Sequence, residues 1–139
     1  MKRISLSVLS LVLLVTSGCK KGKEEPVKTP SPVEGFWIGK YNTSTGVAGI
    51  YNKNYAMLIN GDGTARVYDM GSDTDTTSLG DGLQKISGIW VLNGNSLEVT
   101  YPAGTDTGRS NATVNAAFTS MSGAWSVNSV IKGSFYLNR

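Results

Sequence analysis

The chain has 139 residues, a length that suits a single folded domain. It holds no histidine and one cysteine, which excludes Ser-His-Asp catalysis, histidine metal sites and any intrachain disulfide. The formal charge of +3 arises early in the chain, because after Val33 seven basic residues face eight carboxylates, leaving no clustered cations for a nucleic acid.

Met1 to Arg3 is cationic, Ile4 to Val15 is apolar apart from three serines, and Thr16, Ser17 and Gly18 are small. This is the three-part pattern of a secretory signal peptide. The apolar stretch is 12 residues long, whereas a membrane-spanning helix needs roughly 20. The segment Val15-Thr16-Ser17-Gly18-Cys19 resembles the lipobox of bacterial lipoproteins, with Thr16 where that family usually has leucine. The resemblance implies cleavage before Cys19, lipid on its sulfur and attachment to the cell envelope, at the outer membrane. Lipid on Cys19 also removes the only thiol from nucleophilic or metal chemistry. Lys20 to Pro32 is rich in Lys, Glu and Pro and nearly devoid of apolar residues, so it reads as a flexible tether. Within it, Lys23-Glu24-Glu25 resembles the charged stretch after the cysteine in surface lipoproteins of Bacteroidetes. The expected organisation is a leader over 1–18, a lipidated cysteine and tether over 19–33, and one domain over 34–139.

Beyond Val33 the apolar period is two and turn residues recur every 8 to 15 positions, which predicts an all-β domain. A first strand is expected near Phe36 to Tyr41. A hairpin follows, Tyr55 to Asn60 and Thr64 to Tyr68 across Gly61-Asp62-Gly63. Ser78 to Ile86 reads as a turn. A second hairpin joins Gly88 to Leu92 and Leu97 to Tyr101 across Asn93-Gly94-Asn95, with Leu97, Val99 and Tyr101 on one face. Pro102 to Asn111 reads as a long loop, and further strands are expected near Thr113 to Ser120, Gly123 to Val127 and Ile131 to Leu137. The total is eight antiparallel strands, arranged as an up-and-down barrel or, alternatively, a β-sandwich.

Each of the three tryptophans stands two residues after a glycine, in Gly35-Phe36-Trp37, Gly88-Ile89-Trp90 and Gly123-Ala124-Trp125, and Gly133-Ser134-Phe135 continues the series. At strand spacing the glycine and the ring share a face, and the missing side chain makes room for a wide neighbour. The first of these, on the opening strand, resembles the Gly-x-Trp of lipocalins and other calycin-like barrels. That likeness implies a Trp37 plug at one barrel end beneath a late basic residue, a role open to Arg139 or Lys132. The wider pattern from Gly35 to Leu137 resembles the lipocalin-like domains of bacterial lipoproteins.

An eight-stranded barrel either fills with side chains or holds one small ligand, and the mixture of inward glycines and large rings suits both. The preferred expectation is a membrane-anchored, non-catalytic binding module without cofactor or metal. Trp37, Trp90 and Trp125 would line a site for a small hydrophobic ligand or envelope component, with Arg109 in a mouth loop. The alternative is a packed barrel that binds a protein or glycan through its loops, as an enzyme inhibitor or surface adhesin. A glycan-acting enzyme would need two facing carboxylates from among Asp62, Asp69, Asp73, Asp75, Asp81, Glu98 and Asp106, most of which sit in expected turns. The oxygen-rich run Asp69 to Ser78 lacks EF-hand spacing and reads as a polar loop.

Overall fold

The structure, a computed structural model, describes residues 29–43, 50–71 and 84–139. Cys19, the leader and most of the tether lie outside the described residues. Eight strands run in order: β1 (Gly35–Tyr41), β2 (Lys53–Ile59), β3 (Thr64–Gly71), β4 (Gln84–Asn93), β5 (Ser96–Ala103), β6 (Asp106–Val114), β7 (Ser120–Val127) and β8 (Val130–Asn138). Each pairs antiparallel with the next, and β1 pairs with β8 through Ile38↔Asn138 to Tyr41↔Phe135, so the sheet closes into an up-and-down barrel. Closure rules out the sandwich, which would leave two separate sheets.

The turns follow from local chemistry. In the β2–β3 turn Asp62 Oδ1 accepts the backbone N–H of Thr64 at 2.9 Å, and Gly63 adopts φ +88°. Gly94 takes φ +60° between β4 and β5, a left-handed conformation that strains other residues.

The structure departs from three of the expected elements. The long loop at Pro102 to Asn111 does not exist: β5 runs to Ala103, β6 starts at Asp106, and Pro102 pairs with Thr107. Conversely, no strand spans Thr113 to Ser120, because Asn115 Oδ1 accepts the N–H groups of Thr119 and Ser120 and folds that stretch into the β6–β7 turn. The expected turn over Ser78 to Ile86 is overtaken by β4 from Gln84 onward, and its earlier part falls outside the described residues.

The lumen is filled in its lower half. Near the end where β1 begins and β8 finishes, Trp37, Met57, Ile59, Leu97, Val99, Val114, Phe135 and Leu137 are all at most 1% exposed. Trp37 donates its indole N–H to the Val33 carbonyl at 2.8 Å. The Arg139 guanidinium lies 5.4 Å above the Trp37 ring, and its Nη1 donates to the carbonyls of Pro32 and Glu34, each at 2.9 Å. Arg139 therefore tops the plug, while Lys132 stays exposed on β8. A smaller apolar cluster, Ala56, Tyr68 and Met70 with Ile38 and Leu58, occupies alternate positions of β1 to β3 opposite in parity to the lumen set.

Candidate functional site: a cavity at the open end

Toward the opposite end the lumen residues change character. The two levels below this end supply mainly Ile, Leu, Val, Met and the plug tryptophan; the upper levels supply Tyr41, Tyr55, Tyr101 and Trp125, with Gly108 and Gly133 among them. A cavity of about 720 Å³ opens here, within the 300–1,000 Å³ range of small-molecule sites. The four rings line it together with Val67, Ile86 and Val127, and Lys53, Asp69 and Lys85 stand at its rim. The strand ends joined by residues 44–49 and by residues 72–83 lie at the same end.

Each ring has its polar atom engaged. The Tyr41 hydroxyl donates to Asp69 Oδ1 at 2.8 Å. The hydroxyls of Tyr55 and Tyr101 both meet Ser110 Oγ, at 3.0 and 3.3 Å, and Ser110 is itself 1% exposed. Trp125 donates its indole N–H to the Asn42 carbonyl at 2.8 Å. The rings also brace one another: Tyr41 and Tyr55 lie 5.6 Å apart, and Tyr41 meets Trp125 nearly edge-on at 5.9 Å. Lys53 Nζ stands 5.6 Å from the Tyr41 ring centre.

All three tyrosines resist ionisation. Burial pushes the Tyr41 hydroxyl well above its usual range, assisted by the hydrogen bond and negative charge of Asp69. Burial also raises Tyr55 and Tyr101, outweighing the Ser110 hydrogen bonds that favour their ionised forms. They are neutral near pH 7 and offer no phenolate base.

Of the residues singled out from sequence, Trp125 lines the cavity. Trp37 lies in the plug, and Trp90, partly buried, donates its indole N–H to the Asn60 carbonyl beside the β2–β3 turn. Arg109 is exposed and alternates with the buried Gly108 and Ser110, so it faces away from the lumen. The carboxylates are dispersed as well. Asp62 caps its turn at the plugged end, Asp69 is at the open rim, and Glu98 and Asp106 are exposed on β5 and β6. Asp73, Asp75 and Asp81 lie outside the described residues, and among the described ones no three acidic, histidine or cysteine side chains gather as a metal site. The three tyrosines were not singled out as site residues from sequence, although Tyr101 was placed on one face with Leu97 and Val99, and Tyr41 and Tyr55 share the parity of the buried Trp37 and Met57 on their strands.

Comparison of the chain with protein-family models, with curated proteins and with solved structures finds no match.

Proposed function

We propose that this protein is an envelope-anchored, non-catalytic binding module, tethered through lipid on Cys19, whose barrel takes a small hydrophobic ligand in its open half. The observation that carries the reading is the division of the lumen into a packed plugged half and an aromatic cavity of about 720 Å³. A domain of this size needs a core, and the plugged half supplies one without filling the whole lumen. The polar groups of the rings are already paired, so the cavity offers a guest apolar contact and desolvation, not reactive groups. The opening-strand Gly35-x-Trp37 beneath Arg139 supports the lipocalin-like affinity suggested by the sequence.

Native mass spectrometry of the protein purified from its envelope, together with tryptophan-fluorescence titration against lipids and other apolar compounds, tests the proposal. A one-to-one complex is expected, with emission changing because Trp125 lines the cavity. A protein that carries no ligand and binds none stoichiometrically overturns it. Anchoring is checked separately: palmitate label should enter the native chain and not the Cys19→Ala variant.

A further inference from the structure

Four tethered rings and two glycines specify more than general greasiness. If the barrel holds a ligand as proposed, they also set the shape of the guest.

Tyr101 pairs across β5–β6 with Gly108, and a Cβ on Gly108 would come within 3.0 Å of three atoms of the Tyr101 ring. The ring therefore lies against the barrel wall in space that any side chain at Gly108 would occupy. Gly133, opposite Trp125 across β7–β8, leaves room first for the Asn42 carbonyl and then for the indole nitrogen that donates to it, which an added Cβ would approach to 2.6 Å. A ring laid along the wall, as Tyr101 is over Gly108, turns a face to the lumen, whereas a ring held off it presents an edge. Their rotation is fixed at the far end, Tyr101 and Tyr55 by the shared Ser110 hydroxyl and Trp125 by the Asn42 carbonyl. A guest thus meets preset π faces, with the ordering cost already met in folding.

We infer that the cavity selects a flat, fused-ring ligand over a flexible alkyl chain of equal size, and that Ser110 is the positioning residue for this preference. Offset stacking on the Tyr101 face, or edge-to-face contact with the tethered Trp125, favours a planar guest. An alkyl chain makes apolar contact but gains nothing from ring orientation and loses more rotational freedom on binding.

The test uses two probes matched in carbon count and charge, anthracene-2-carboxylate and pentadecanoate, titrated into the purified protein by calorimetry. The expected result is at least about tenfold tighter binding of the anthracene probe. Ser110→Ala and Tyr101→Phe, which keep both rings but release the hydroxyl tether, should shrink that ratio severalfold. Far-ultraviolet circular dichroism and melting confirm that each variant is folded, and Tyr101→Phe covers the case in which Ser110→Ala does not fold. Equal or tighter binding of pentadecanoate overturns the inference and leaves the ligand-binding function standing. A ratio unmoved in the folded variants overturns the role of Ser110. If neither these probes nor other apolar compounds bind, the function and the inference fall together.

Discussion

Replacing Arg139 by methionine keeps an unbranched apolar stem while deleting the guanidinium that tops the plug. Three interactions disappear: the contact over the Trp37 ring at 5.4 Å and the two hydrogen bonds at 2.9 Å to the carbonyls of Pro32 and Glu34. At an exposed site the cation–π contact contributes roughly 0.5–1 kcal/mol and each hydrogen bond about 0.5–1 kcal/mol, so the expected loss is about 2 kcal/mol. The chain entering β1 is held from the far end of the sequence by these bonds, so the loss should appear as cooperative destabilisation and not as local fraying. Thermal unfolding followed by circular dichroism should fall by about 8 °C, with urea unfolding giving the same free energy. Lys132→Met is the matched control, since Lys132 is the other late cation and stands exposed, and its cost should stay within about 0.5 kcal/mol. Equal effects of the two substitutions, or an Arg139→Met cost below about 0.5 kcal/mol, would refute the plug assignment.

Phe135→Ala removes a ring that is 1% exposed between the plug and Tyr55, and should cost about 3–5 kcal/mol in urea unfolding. Arg109→Ala should change neither stability by more than about 0.5 kcal/mol nor the affinity for any cavity probe, because the side chain faces away from the lumen. Tyr55 and Tyr101 hold their protons in the fold more tightly than in the unfolded chain, so their stabilisation is complete below the usual tyrosine range near pH 10 and declines above it. The slope should reach about 1.4 kcal/mol per pH unit for each. Ultraviolet difference titration checks this: a folded protein in which all six tyrosines ionise near pH 10 contradicts the burial of these hydroxyls.

How much of this was legible in sequence varied along the chain with the size of the inward residues. The hairpins around Asp62 and Gly94 were plain, because β2 and β5 carry Met57, Ile59, Leu97 and Val99 at alternate positions and meet turn residues at their ends. β6 was missed although its burial alternates from Gly108 to Val114, since the buried members Gly108, Ser110 and Ala112 are too small to register as an apolar pattern. Pro102 and Gly104 added turn signals on top. The same smallness matters at the site: Gly108 leaves space for Tyr101, and Ser110 ties two tyrosines together. The Gly-x-Trp series correctly placed glycine and ring on one face. Sequence could not tell which neighbour each glycine admits, because register across strands decides it: Gly108 admits the Tyr101 ring, and Gly133 the Asn42 carbonyl with the Trp125 indole nitrogen.

The two ends of the barrel have separable tasks, and the residue types divide accordingly. At the plugged end, large apolar side chains meet across a lumen that eight strands make just wide enough to fill. At the open end, large rings remain, but each is tethered: Tyr101 lies over Gly108, Tyr41 reaches Asp69, Trp125 reaches the Asn42 carbonyl, and Tyr55 on β2 spans the lumen to Ser110 on β6. Tyr55, packed against Phe135, bounds the packed half, and the volume beyond it stays open. Holding it open requires that the rings not collapse inward, and an apolar ring such as phenylalanine would have no tether against that collapse. Tyrosine and tryptophan carry one polar atom at the far end of a broad apolar surface, so a single hydrogen bond at the wall fixes the ring while its face stays available. That explains why the cavity rings are three tyrosines and a tryptophan, and why the phenylalanine of the same lumen, Phe135, sits below them in the packed half.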